Sequence, residues 1–250
     1  MSELVTLLEI FGGMGVSLLG IAGCIWRCYN KYDYEVIDGF WDKNIAPQTL
    51  WNNWEEPGDE AGRGPLFGPV YVGCVILDPN ETYNPELIKD SKKLNERKRL
   101  IAFDYVKENA LDYSVFSHDE KKIDEINILQ ATYRGMHEAI KQLNIYPDHL
   151  LVDGNYFIPY FDVDKCDYIE HTCIKSGDDK YYNIAAASIL AKVSRDKYIE
   201  KLCDENENLE KNYGIKSNKG YGASRHLKGI KEHGITKWHR KSFGICKNYN

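Results

Sequence analysis

Four carboxylates stand in sequence settings that invite a chemical reading. Asp59 and Glu60 are adjacent, and the turn-forming residues Gly62, Arg63 and Gly64 follow within the stretch Gly58–Pro69 (GDEAGRGPLFGP). Glycines there allow positive φ and close approach of backbone to a ligand. Asp153 closes the apolar run Leu150–Val152, with Gly154 leaving space behind it. An acid at the C-terminal end of a strand in an α/β sheet faces the ligand crevice. Asp196 falls on a helical stretch with Lys192 at i−4, Val193 at i−3 and Ile189 at i−7, beside a partly apolar face. A bland alternative stands next to each: a surface turn carrying an acid pair by chance, and a Lys192–Asp196 surface ion pair worth under ~0.5 kcal/mol.

These acids need elements to hold them. Pro69–Leu77 is a β-branched run ending at Asp-Pro-Asn and predicts a strand. Asn95–Asn109 has an Asn at its start and Leu100, Ile101, Phe103 and Val106 on one side, so a helix is expected. Tyr113–Phe116, His149–Val152 and Tyr168–Ile174 read as strands, and Ile123–Leu143, Asn183–Leu202 and Arg225–Glu232 as helices. Strands alternating with helices indicate an α/β layer architecture.

Composition narrows the classes. The 250 residues suit one core plus an extension, and 43% hydrophobic with 28% charged residues is ordinary for a globular chain. Seven cysteines, an odd number with no Cys-x-x-Cys pair, speak against a zinc site or a disulfide framework and for reduced thiols in the cytoplasm. The net charge is −6, but Lys216–Lys247 holds nine Lys or Arg against Glu232 alone. That segment carries +8 and leaves −14 for the remainder. A basic surface beside an acidic body is one reading, and a solvated charged helix is the other.

The N-terminal third is read separately. Ile10–Trp26 is uncharged over 17 residues, contains five Gly, and is followed by Arg27 and Lys31. A bilayer span needs about 20 apolar residues, about 17 at the least, and glycines weaken a helix. Residues 1–33 are therefore an apolar extension with three readings: an anchor leaving the rest in the cytosol, a decoration of the core, or a misjudged gene start. Residues 34–57, rich in Asn, Asp, Glu and Trp with Pro47 and Pro57, read as a linker before a catalytic domain at 58–250 that includes the basic segment 216–250.

Taken in order, DEAGRGPLFGPV (59–70), DSKKL (90–94), IDEINILQAT (123–132), VDGN (152–155), IAAASILAKVSRD (184–196), GYG with a following His (220–226) and HRKSFGIC (239–246) resemble the ribonuclease HII family. The resemblance covers about residues 58–246. Arg63 and Asp196 look like ribonuclease HII rather than its HIII relative, and HRKSF looks like the single-chain bacterial type.

The resemblance implies a ribonuclease H-like fold, with a central mixed sheet flanked by helices and a helical C-terminal segment. It implies an endonuclease acting on RNA strands or single embedded ribonucleotides in duplexes with DNA, a monomer, leaving 5′-phosphate and 3′-hydroxyl ends. It assigns Asp59, Glu60, Asp153 and Asp196 as the catalytic, metal-binding carboxylates. Four converging acids raise one another's pKa unless a cation neutralises them, and oxygen-only ligands select Mg²⁺ or Mn²⁺ over zinc. Two such ions suit an in-line displacement. Sensing the 2′-hydroxyl falls by resemblance to Gly62, Arg63 and Gly64 with Tyr221, and phosphate contacts to Ser91, Lys92 and Lys192. Ser188, His226 and His239 are left as structural residues.

One departure stands out. An apolar strand leads into Asp-Glu in that family, whereas Trp51–Gly58 precedes Asp59 here, and Pro57 cannot donate to a central ladder. Tyr34–Ile37 looks more strand-like, as if residues 38–57 were inserted. The rival reading is a catalytically weak nucleic-acid-binding homologue with a disrupted first strand. For the basic segment, about six phosphate contacts would cost on the order of 10³-fold in affinity between about 50 and 200 mM salt.

Overall fold

The computed structural model describes residues 64–249 and the backbone of one earlier strand, Gln48–Asn52. Tyr34–Ile37 and Ile10–Trp26 lie outside the described residues. Among the described residues no helix is long and apolar enough to cross a membrane.

The sheet has five strands. β1 (Gln48–Asn52) pairs antiparallel with β2 (Val70–Ile76), which pairs antiparallel with β3 (Asp112–His118). On its other side β1 runs parallel to β4 (His149–Asp153), and β4 parallel to β7 (Glu170–Ile174). The order is therefore β3-β2-β1-β4-β7, with β1 at the centre. The central strand thus falls within the stretch read as a linker. Gln-Thr-Leu-Trp-Asn is short, polar at both ends and follows Pro47, so its hydrophobic pattern carries little signal. Two further strands of two residues each, β5 (Phe161–Asp162) and β6 (Asp167–Tyr168), form a hairpin described by itself. Asp162 accepts the N–H groups of Asp164 and Lys165 in its turn.

Helices cover both faces. β2 alternates: Val72 and Cys74 join Met136, Ala139 and Ile140 of one helix, while Val75 joins Ala185–Ala187, Ile189 and Leu190 of another. Gly73 lies on that second face, where an added Cβ would stand 2.4 Å from the Ala187 carbonyl oxygen. Only glycine lets the helix lie so near the strand. That helix, which becomes α4 in chain order, runs Tyr182–Glu205, and its first half is buried on every side. α1 (Glu96–Asn109) packs beside it, and its Asn95 side chain caps the Lys98 N–H as expected.

The single helix expected over Ile123–Leu143 is instead two, α2 (Glu120–Ile126) and α3 (Ile128–Lys141). The break is Asn127 at φ 65°, whose side chain accepts the Gln130 N–H at 3.0 Å. Asparagine tolerates the left-handed region and caps the next helix, so local hydrogen bonding overrides a continuous apolar stripe. After α4 come α5 (Glu207–Tyr213), α6 (Ile215–Asn218) and α7 (Ser224–His233), packed around Leu66, Phe67, Ile199, Tyr213 and Ile230.

Gly73→Ala drives a methyl group into the Ala187 backbone. It should destabilise the fold by about 1–3 kcal/mol, read as a lower urea midpoint. An unchanged midpoint would show that α4 can move off the sheet at no cost.

Candidate active site

Asp153 is the last residue of β4, and Gly154 follows at φ +121°, where a side chain would be strained. The chain turns back so that Gly177 donates its N–H to Asp153 Oδ1 at 2.8 Å. A Cβ on Gly177 would lie 2.3 Å from Ile184 Cδ1 and 3.3 Å from that same oxygen, so the turn closes on the strand end. The next residue is Asp178, in a short 3-10 turn (Gly177–Asp179) leading into α4. Burial pushes the Asp178 carboxyl up to about 6, and the charges of Asp153 and Asp90 add to the effect while Lys92 opposes it. Asp153, Asp178 and Asp90 thus form one acidic group.

Asp90 and its neighbours form a turn fastened to α4. The Asp90 carboxylate accepts the Lys92 N–H at 2.8 Å. Ser91 is 2% exposed and its hydroxyl meets that of Ser188 on α4 at 2.9 Å. Ser91 therefore fastens the turn to α4. Lys92 is exposed, and Lys93 pairs with Asp179.

Asp196 belongs to a different group. Lys192 Nζ stands 3.2 Å from one of its oxygens and Arg99 3.6 Å from the other. Arg99 also donates to the carbonyls of Ser91 and Leu94, tying α1 to the same turn. Burial lowers the Lys192 pKa and the Asp196 charge works against that. The ion pair read as a surface alternative is present, but partly buried, with 20% and 14% of the two side chains exposed. The structure places Asp196 between Lys192 and Arg99, and Asp178 with Asp153 and Asp90. Asp178 has a ready local explanation, since an acid in the turn before a helix answers the helix dipole. The signal that could have found it is Ser176-Gly177-Asp178, a glycine turn and acid directly ahead of an apolar helix.

Tyr221 completes the surroundings. Its ring lies under Lys192 Nζ at 5.9 Å and the Arg195 guanidinium at 6.0 Å. Gly220, at φ +87°, accepts the Leu66 N–H through its carbonyl and has no room for a side chain against the Phe67 carbonyl. The Gly-Tyr-Gly loop is thereby fixed to the segment after Gly64, which is itself half-buried. Asp59, Glu60, Gly62 and Arg63 lie outside the described residues. Among the described residues no three His, Cys, Asp or Glu side chains are grouped to hold a metal ion.

The basic segment is less free than its charge suggests. Lys216, Lys219, Arg225 and Lys228 pair with Asp204, Glu200, Glu210 and Glu232, and Arg240 is buried. Among the described residues that leaves Lys231, Lys237 and Lys247 to meet an external anion.

The ribonuclease HII family profile matches residues 58–246. The chain is 47% identical over 187 residues to a ribonuclease HII from Christiangramia forsetii, covering 75% of this chain and 88% of the relative. It is 45% identical over 189 residues to one from Mycoplasma capricolum, covering 76% and 86%. In structure it is similar to the ribonuclease H2 of Pyrococcus horikoshii, with a TM-score of 0.60, 24% identity and coverage of 81% and 96%, a likeness of fold.

The acidic group makes a direct electrostatic prediction. Folding raises the Asp178 pKa, so between its ordinary value of 3.8 and about 6 the folded state binds more protons, and stability falls as pH rises through that window without divalent ions. Asp153→Asn removes the second cause. The Asp178 carboxyl, followed by ¹³C NMR in chelator, should then titrate lower, and an unmoved midpoint would separate the two side chains.

Proposed function

The chain belongs to the ribonuclease HII family and is an endonuclease acting on RNA in hybrids with DNA, and we propose that Asp59, Glu60, Asp153 and Asp178 hold the two Mg²⁺ or Mn²⁺ ions it works with. The observation that carries this reading is the raised Asp178 carboxyl beside Asp153. Two half-buried acids repelling each other are poised for a divalent cation, and the Asp59–Glu60 pair supplies the remaining charges. The donors are all oxygen, which suits Mg²⁺ or Mn²⁺ and not zinc. When bound, the ions supply an activated water and a stabilised leaving 3′-oxygen, giving 5′-phosphate and 3′-hydroxyl ends.

The remaining residues bind and orient. Asp153 is held in one direction by the Gly177 N–H. Asp196 acts at one remove: it holds Lys192 and Arg99, and Lys192 in turn stands over the Tyr221 ring. Lys192 and the exposed Lys92 meet substrate phosphates, while Gly62, Arg63, Gly64 and Tyr221 sense the ribose at the RNA–DNA junction. The 2′-hydroxyl is what separates RNA from DNA at such a position. We assign Ser91 to positioning the turn and not to the phosphate.

The test is cleavage of a duplex carrying one embedded ribonucleotide in Mg²⁺ or Mn²⁺. Asp153→Asn and Asp178→Asn should each lower the saturated rate by at least about 10²-fold with duplex binding retained, the scale of losing one preorganised stabilising group. Asp196→Asn should cost less, because it loosens Lys192 and leaves the ions held. Wild-type cutting by Asp178→Asn, or a larger loss in Asp196→Asn, would return the fourth place to Asp196.

The pairing within the basic segment sets the salt response. With about five phosphate contacts, about three from this segment and two from Lys92 and Lys192, duplex affinity should fall on the order of 10²- to 10³-fold between about 50 and 200 mM salt. Fluorescence anisotropy of a labelled duplex reads this directly. A far steeper loss, on the order of 10⁵-fold, would mean that the paired lysines let go of their acids to meet the backbone.

A further inference from the structure

Behind Tyr221 lies a pair of buried imidazoles that neither the metal site nor the phosphate contacts use. His226 is 0% exposed and His239 1%. His226 Nδ1 is 2.8 Å from the Tyr221 carbonyl oxygen, and the two Nε2 atoms are 3.0 Å apart. His239 Nδ1 is 2.9 Å from the Thr236 N–H, and equally close to the Thr236 hydroxyl. The rings sit in an aromatic box, with Phe67 edge-on to His239 at 5.1 Å and Tyr213 edge-on to His226 at 6.2 Å.

The chemistry of the end groups fixes every proton in this chain. A backbone N–H can only donate, so His239 Nδ1 is bare and its proton is on Nε2. That Nε2–H donates to His226 Nε2, which must be bare in turn. The His226 proton is therefore on Nδ1 and donates to the Tyr221 carbonyl, which can only accept. Burial and the neighbouring ring hold the His239 pKa down to about 3, so neither ring carries the second proton that would break the sequence. Thr236 thus directs the Tyr221 backbone through two neutral rings of fixed orientation.

We propose that His226 and His239 are positioning residues for Tyr221, holding its ring at the place where the ribose of the junction is sensed. The inference rests on the reading of Tyr221 given above. The loop has other anchors, among them the Tyr221 N–H on the Asn218 carbonyl at 2.9 Å and Gly220 on Leu66. Those anchors fix the entry to Tyr221; at its exit the Tyr221 carbonyl also accepts the Ala223 N–H at 2.8 Å, and the histidine pair ties that turn to the C-terminal segment, so losing the pair leaves the turn formed but no longer held from behind.

A double-mutant cycle tests this on the full chain, using a duplex with a single embedded ribonucleotide. His226→Leu should lower the saturated rate about 10-fold to 10²-fold, the cost of a catalytic group displaced by about 1 Å. The same substitution should change nothing further once Tyr221 is Ala. His226→Asn, whose amide can donate to the same carbonyl, should recover most of the loss. If Tyr221→Ala alone cuts at the wild-type rate, Tyr221 does not sense the ribose and both readings fall. If Tyr221→Ala is slow but His226→Leu adds its full factor on top, only the positioning role is overturned. Should His226→Leu fail to fold by circular dichroism, His239→Phe takes its place in the cycle. It keeps an aromatic ring in the box and removes both hydrogen bonds, with the same non-additivity expected and additivity again overturning the proposal.

Discussion

Arg195, on α4 and 1% exposed, spends its guanidinium entirely on backbone: Nε on the Pro69 carbonyl at 3.1 Å, Nη2 on Phe67 at 3.0 Å and Nη1 on Lys219 at 2.9 Å. Arg240, equally buried, takes the carbonyl between, Gly68, at 2.8 Å, and its own N–H goes to Leu66. Burying a charge is costly unless it is hydrogen-bonded, and two like charges side by side add to the cost. Burial and the Arg195 charge bring the Arg240 pKa down to about 9, which still leaves it a cation at neutral pH. Its Nη1 has no hydrogen-bond partner, while its guanidinium lies 5.1 Å from the Phe243 ring. Such an arrangement persists because it fixes three successive carbonyls of the segment that joins the Gly-Arg-Gly turn to β2.

Everything near the site is referred to that clamp. Arg195 belongs to the helix that starts beside Asp178 and carries Lys192 and Asp196. Its third contact reaches the residue before the Gly-Tyr-Gly loop, and Arg240 brings in the C-terminal segment. Three stretches distant in the chain are thereby held to one short piece of backbone. The planar, permanently charged fork of arginine does this where lysine, with one point of charge, could not.

The same helix separates two electrostatic environments. At its foot Asp178 meets Asp153 and Asp90, so like charges meet and the carboxyl is pushed up. The favourable end of a helix dipole contributes well under a unit of charge and does not overcome burial together with two acids. Farther along, Asp196 meets Lys192 and Arg99, so opposite charges meet and the group is satisfied internally. Carboxylates of the same type on or beside the same helix therefore differ in their surroundings. The first meets mainly like charge, opposed by Lys92, while the second already has two cations beside it.

Much was legible in the residues themselves. The β-branched run of β2, the Asn95 cap, the apolar strand ending in Asp153 and the Ala-rich helix are local patterns, set by side-chain period and capping chemistry. The family resemblance rests on short motifs in order, and two of them carry glycines at positive φ, Gly154 and Gly220. What only the tertiary structure decided were the pairings. Spacing by four residues offers Lys192 to Asp196, but no local pattern tells that Arg99 joins that pair or that Asp178 meets Asp153. β1 is central only because β2 and β4 flank it, since its own five residues hardly encode a strand. The histidines of two separate motifs become a directed hydrogen-bond chain only once α7 and the C-terminal segment bring them to 3.0 Å. Spacing along a chain determines periodicity and turns, whereas the partner of a charge or a proton depends on long-range contacts.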